Sequence, residues 1–322
     1  MIELLLDNKV GKVWDIAQLV SDITWKTTRI GKPGSLEFTL LRNGIYQTSD
    51  FQYNNGDIVS FRMDGANVFY GYIFKVGEGK DEGVKILCYD QIRYLLINGT
   101  YVMKDVTASD LVKRIAGDFQ LKLGRIDDTG YRIPTILEDN QKLLDILCKA
   151  LDLTLIHDGK NFFLYDDFGA LSLRKSEDMR LDFMIGDRSL MYDYSAERSI
   201  DNETYNKIKL YRDNKKSGKR ETYIAQDSAN IAKWGLLQLM QSVDENMNLA
   251  QINERLNALI TIKNRESRSM KIEAIGDIRV RAGCYVHIYI EDRGINQPFL
   301  VEGCSHRFDG SNHTMSLELK VI

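Results

Sequence analysis

Two cysteines and two histidines gather near the end of this 322-residue sequence. Cys284 and His287 stand three apart, Cys304 and His306 two apart. Those are the residue types of a zinc site, which needs four donors converging tetrahedrally. The local pattern argues against convergence: "AGCYVHIYI" (282–290) alternates apolar and polar residues as a strand does, and on a strand side chains three apart point to opposite faces. No metal site is expected. Asp166 and Asp167 form the next candidate, but adjacent side chains also diverge, whereas hydrolysis by paired acids needs both facing one substrate. They read as a solvated turn before Phe168 and Gly169, and His157 beside Asp158 reads as a turn too. The sequence has no G-x-S-x-G, P-loop or H-E-x-x-H motif. No catalytic residue and no cofactor are expected.

Composition narrows the classes further. A net charge of -3 argues against a general nucleic-acid binder, and the basic run Lys215, Lys216, Ser217, Gly218, Lys219 and Arg220 reads as a solvated hairpin tip. Cys88, Cys148, Cys284 and Cys304 are irregularly spaced, as expected of free thiols buried in a protein made in a reducing cytoplasm. No apolar run approaches the roughly 18 residues of a membrane helix. The opening "MIELLLDNKVGK" lacks the basic start and apolar core of a signal peptide, so neither export nor membrane anchoring is expected. The Tyr and Phe residues look scattered along strands, as core or interface rather than a stacking platform.

The elements that would position these residues state one phrase twice. Residues 55–74 read "NGDIVSFRMDGANVFYGYIF" and residues 282–304 read "AGCYVHIYIEDRGINQPFLVEGC". Each opens on a glycine, Gly56 or Gly283, and then alternates. Val59, Phe61 and Met63 would face inward in the first, and Val286, Ile288 and Ile290 in the second. A turn follows, then an aromatic and a glycine: Phe69 with Gly71, and Phe299 with Gly303. Both read as hairpins. Upstream, Leu36 and Phe38 answer to Met270 and Ile272; downstream, Val84, Ile86 and Cys88 answer to Met315, Leu317, Leu319 and Val321. The pattern predicts an internal repeat with Gly71 and Gly303 at equivalent positions where a side chain is poorly tolerated.

Between the copies the character changes. Strands are expected over 2–6, 23–27, 35–41 and 84–89. Thr107 followed by Asp110 then marks a helix start, with Leu111, Ile115 and Phe119 on one face. A second helix runs over 140–151 with Leu144, Leu147, Cys148 and Leu151 on one face. Residues 153–166 read as two strands around an Asp158-Gly159 turn. A hairpin over 206–225 and a helix over 248–263, carrying Leu249, Ile252, Leu256 and Leu259, precede the second copy. The expected fold is mainly β with an α+β insert: a first β-barrel domain over 1–103, a small α+β domain over 104–186, and a second barrel over 187–322. These three units occupy the sequence, leaving no room for an appended hydrolase domain.

The runs "PGSLEFTL", "GDIVSFRMDGANVFYGYIF", "SIDNETYNKIKLY", "IAKWGLLQ" and "GDIRVRAGCYVHIYI" resemble baseplate hub proteins of contractile phage tails and phage-tail-like particles, of the XkdQ/YqbQ, PBSX-like type. The resemblance covers nearly the whole chain and rests on strand and glycine positions, not on a catalytic signature. It implies two tail-tube-like β-barrels, used in three copies to join a six-fold tail tube to a three-fold central spike and to line the channel. Implied partners are the tube protein, the spike protein, other baseplate proteins and two further copies of the chain, with no membrane and no specific nucleic acid. The implied location is the bacterial cytoplasm during assembly and then the virion or tail-like particle, and weak contacts would leave the isolated protein monomeric. Read from the residues alone, the rival is a module that binds a surface glycan or peptidoglycan, with a cell-wall hydrolase third.

Overall fold

The computed structural model describes residues 1–42, 51–201, 203–214, 218–245 and 247–320. The expected tip residues Lys215, Lys216 and Ser217, and Val321, lie outside these. The chain opens with β1 (Ile2–Asp7), β2 (Val13–Asp15), β3 (Val20–Thr28), β4 (Ser35–Leu41), β5 (Ile58–Met63), β6 (Ala66–Gly77) and β7 (Gly83–Tyr89). Their period-two patterns bury one face each: Leu36, Phe38 and Leu40 of β4, Val59 and Phe61 of β5, and Val84, Ile86 and Cys88 of β7. Met63 is half-buried against the same core.

The helical middle follows: β8 (Asn98–Thr107), α1 (Ala108–Asp118), β9 (Leu123–Ile126), β10 (Arg132–Lys142), α2 (Leu143–Asp158), β11 (Phe162–Asp166) and β12 (Leu171–Lys175). Thr107 and Asp110 form the capping box that starts α1. Leu111 and Ile115 are buried, and Phe119 is the half-exposed C-cap. The expected strand before Asp158-Gly159 is instead the end of α2. Gly159 adopts φ 67° and closes the helix, its N–H donating to the Leu155 carbonyl. A glycine after an apolar run serves a helix C-cap as well as a hairpin turn, and here the helical face won.

Next come β13 (Arg180–Gly186), β14 (Met191–Ser199), β15 (Lys207–Asn214), β16 (Lys219–Gln226), α3 (Ser228–Trp234), β17 (Gln238–Ser242), α4 (Leu249–Lys263), β18 (Ser267–Ile275), β19 (Tyr285–Ile290), β20 (Ile295–Asp309) and β21 (Asn312–Lys320). Residues 207–263 build their own sheet, in the order β16-β15-β17. α4 lays Ile252, Leu256 and Leu259 on its Ile208 and Leu210, while Leu249 stays exposed. β13 pairs in parallel with β19, so it belongs to the last sheet and not to the helical middle.

Among the described residues thirteen strands form one continuous sheet. The N-terminal run is ordered β3-β4-β7-β6-β5, and the C-terminal run β14-β18-β21-β20-β19. The two orders are the same. Registers agree as well: Leu36 pairs with Cys88 and Ile73 with Cys88, where Met270 pairs with Leu319 and Val301 with Leu319. Each fourth strand bulges just after that position, between Ile73 and Lys75 and between Val301 and Gly303. Neither run closes into the expected barrel, because β20 spends its free edge on β3 of the other run, and among the described strands the sheet's branches end at β14, β13 and β2.

Register also separates the two glycines. Gly71 lies opposite Val59, whereas Phe299 lies opposite Val286, so Phe299 is the counterpart of Gly71 and Gly303 that of Lys75. The second hairpin's turn is longer, using a 3-10 turn over Glu291–Arg293 before Gly294, so matching the phrases by eye slips along the return strand. A methyl group on Gly71 would collide with the Tyr89 carbonyl and the Phe69 ring, while one on Gly303 would meet only the Glu318 carboxylate at 2.9 Å. Gly71→Ala should therefore cost about 1–3 kcal/mol through forced backbone movement, and Gly303→Ala under about 1 kcal/mol because a flexible carboxylate can move. Urea unfolding of both variants checks this; equal losses would contradict it.

Candidate functional site

The two runs meet where β20 crosses from its own hairpin to β3. Antiparallel pairing runs from Gly303 opposite Thr28 to Phe308 opposite Ile23. Side chains reinforce it on both faces. Arg29 Nε donates to Glu302 Oε2 at 2.8 Å with both side chains largely buried, a charge-assisted bond. The Ala282 N–H donates to Thr27 Oγ1 at 2.9 Å. Phe308 of β20 enters the N-terminal core edge-on to Phe61, with ring centroids 5.0 Å apart, and Trp25 stacks on His306 at 4.9 Å.

His306 is fully buried. Its Nε2 lies 2.8 Å from the Val280 carbonyl, which can only accept, so Nε2 carries the proton and Nδ1 accepts from His313 Nε2 at 2.9 Å. Burial pushes its pKa down to about 4, with His313 adding to the fall while the Val280 carbonyl and Asp277 oppose it. Cys304 Sγ stands 3.0 Å from the same Nε2. Cys284 points into the core, and His287 on the opposite face bonds Asn296. His287 is thus turned away from Cys284, whereas Cys304 and His306, two apart on one strand, share a face and touch. Among the described residues no group of three or more His, Cys, Asp or Glu is placed to hold a metal. The four cysteines are free, with Cys148 half-buried and the others buried.

Asp166 departs from the solvated turn expected of it. It is buried, its Oδ1 accepting from the Gly169 N–H and its carbonyl from Arg281; Asp167 alone is exposed. Every residue of β11 is buried. Phe162 and Leu164 enter the helical core, while Phe163 and Tyr165 pack on Ala282 at the seam. A second acid, Asp90, was not distinguished by any motif. It is buried, caps the 3-10 turn at Gln91–Leu96 by accepting from the Ile92 N–H, and also accepts from the Gly34 N–H. Burial raises both carboxyls and each is close enough to charge to feel it: Asp166 pushes Asp90 up further, and Arg281, stacked on Tyr165, pulls both down. An acid-rich turn gives no sequence sign that another segment will cover it.

The aromatics are not scattered. Phe168, Tyr70, Tyr72, Tyr94, Phe74 and Tyr89 form one contiguous tract beside β6, each ring 5.6–6.2 Å from the next. Lys9 lies over Tyr72, Arg62 over Phe168 and Arg93 over Phe74. Successive rings meet tilted or edge-to-face, at 53–84°. A flat sugar-stacking platform would need exposed coplanar rings. This one suits packing against a protein surface.

The chain belongs to the YQBQ-like family, whose pattern it matches over residues 23–320. It is 32% identical to the uncharacterized protein YqbQ of Bacillus subtilis strain 168, over 99% of this chain and 96% of that one. It is 30% identical to the phage-like element PBSX protein XkdQ of the same organism, over 99% and 97%. Its fold is that of prophage tail proteins: the 43 kDa tail protein of prophage MuSo2 from Shewanella oneidensis superposes with a TM-score of 0.72 at 15% identity over 98% of each chain. A tail protein from Neisseria meningitidis MC58 gives 0.74 at 14%, over 99% and 96%. The E. coli c3393 protein, a type VI secretion component with structural similarity to phage T4 gp27 and gp5, gives 0.51 at 9%, over 93% and 73%.

The seam gives the fold two opposed pH dependences, each of definite sign. The unfolded chain takes up a proton at a histidine near pH 6.5, whereas folded His306 does so only near pH 4. Its contribution to stability is therefore lost as pH falls through that window. Asp90 and Asp166, held above the usual carboxylate range, act oppositely, losing stability as pH rises. Comparison with His306→Gln isolates the histidine. Between pH 7 and pH 4 wild type should lose more stability than the variant, by up to about 3 kcal/mol at ~1.4 kcal/mol per pH unit; parallel unfolding curves at every pH would contradict it.

Proposed function

We propose that the chain is a structural, non-enzymatic baseplate hub of a contractile tail or tail-like particle, joining a six-fold tail tube to a three-fold spike and lining the channel. The observation that carries this reading is the shared strand order and register of the N-terminal and C-terminal runs. A subunit with two near-equivalent sheets, used three times, presents six similar elements to a tube while keeping three-fold symmetry toward a spike. Reading the runs as copies of one tube-like unit is further supported by their matched bulges. Family membership alongside a PBSX phage-like-element protein, and the likeness to prophage tail proteins, agree with this assignment.

The partners proposed are the tube protein, the spike protein and neighbouring baseplate proteins, with the particle itself as the final location. The helical middle from residue 104 to β12 would act as an insert that fixes the angle between the runs, since β11 contributes side chains both to the helical core and to the seam. Cryo-electron microscopy of the intact particle tests the proposal. Three copies at the tube-to-spike junction, around an open channel, are expected. Six copies there, or a position elsewhere in the particle, would overturn it.

A further inference from the structure

Within the chain, the outer edge of β3 is covered by the second half of β20. Its counterpart has no such cover. β14 flanks β18 as β3 flanks β4, and no strand among the described residues pairs with its outer edge. Ser195, Ala196, Glu197 and Arg198 are exposed, where Trp25 and Thr27 in the matching positions are buried under β20. Among the described residues no strand pairs with the outer edge of the counterpart of β20's covering half either. Among the described residues Lys75, Val76 and Gly77 of β6 pair with β7 alone, and Glu78, Gly79 and Lys80 beyond them are exposed, where Tyr53 donates to the Glu78 carboxylate and Arg42 to the Gly79 carbonyl from the N-terminal run's own side. The approach to both receiving edges is built alike. Gly56 N–H donates to the Ile73 carbonyl and Ile73 N–H to that of Asp57, just as Gly283 N–H donates to the Val301 carbonyl and Val301 N–H to that of Cys284.

We propose that β14 of one copy pairs antiparallel with residues 75–80 of a neighbouring copy, in the register that β3 adopts on β20. The proposal rests on the hub reading. It makes the contact between copies a second version of the seam inside the chain, so the two would alternate around a closed ring. Transposing the in-chain register puts Lys75 opposite Ser199, Gly77 opposite Glu197, Glu78 opposite Ala196 and Lys80 opposite Tyr194. Lys75 then lies diagonal to Glu197, and Glu78 diagonal to Arg198. Both diagonals join opposite charges, within reach of long side chains across a strand pair. Strand addition of this kind supplies main-chain hydrogen bonds, with side-chain pairs setting register. It would also cover Tyr194 to Ser199 of a nine-residue edge that otherwise invites indiscriminate pairing.

A disulfide across the transposed pair is the test. Residues directly opposite on antiparallel strands have Cα atoms about 4.5–5.5 Å apart, within disulfide reach. A Cβ on Gly77 meets nothing nearer than the Lys85 carbonyl at 3.6 Å, and Glu197 is exposed, so both changes leave the fold room. Intact particles carrying Gly77→Cys with Glu197→Cys should give covalent dimers and trimers of this chain on mild oxidation. Each single variant, and the out-of-register pair Gly77→Cys with Tyr192→Cys, should stay monomeric on a non-reducing gel. Three copies seen at the junction without cross-linking of the 77/197 pair would overturn the strand pairing and leave the hub reading standing. A chain absent from the junction would overturn both.

Discussion

One strand's hydrogen bonding holds the architecture together. β20 is fifteen residues long and serves three neighbours: β19 along its first part, β3 along its second, and β21 on the other edge. A hairpin needs only the first part. The extension past Gly303 turns two separate sheets into one, and because unpaired backbone groups under packed side chains are costly, the edge of β3 could not have been buried without it. Trp25, Thr27, His306 and Phe308 are all buried for the same reason. Neither run can move without breaking the other's edge.

The seam concentrates polar groups that an ordinary core avoids. Asp90, Asp166 and His306 are buried, and Arg281, its guanidinium on the Tyr165 ring, donates to the Asp166 carbonyl. Three segments distant in sequence converge here, and each has backbone donors and acceptors left over at its end. Asp90 answers the Gly34 and Ile92 N–H groups, His306 the Val280 carbonyl, and Asp166 the Gly169 N–H. Such a network fixes geometry more than it adds stability, because misplacing any member strands a buried polar group. A part that must hold two halves at one angle benefits from that intolerance.

What was legible in the sequence follows the range of the forces involved. Alternation along β5 and β19 placed Val59, Phe61, Val286, Ile288 and Ile290 inside correctly, since a half-buried strand writes its own period. The capping box at Thr107 was equally local. Failures came wherever a distant segment decided. Asp166 looks like a turn until Arg281 and Gln91 cover it, and β13 looks like the end of an insert until it pairs with β19 a hundred residues on. The aromatic tract joins Tyr70 to Phe168 and Tyr94, a proximity that strand pairing creates and spacing does not encode. The open sheet was hidden for the same reason, because nothing in β3 names β20 as its neighbour.

The runs differ most on the face that the helical middle touches. Gly283 lies beneath the Phe163 ring, so closely that a side chain would collide with it, whereas its counterpart Gly56 has open space around it. Leu300 is buried and Glu302 is tied to Arg29, while the matching Tyr72 and Phe74 lie in the half-open aromatic tract. The helical middle packs Phe163 and Tyr165 on Ala282 of the C-terminal run, and reaches the matching face of the N-terminal run through the Phe168 ring on Tyr70. Leu300 is thereby packed on the C-terminal run, while the matching Tyr72 on the N-terminal run stays half-open. The side chains of the two runs therefore differ on that face, while strand order and register are the same in both.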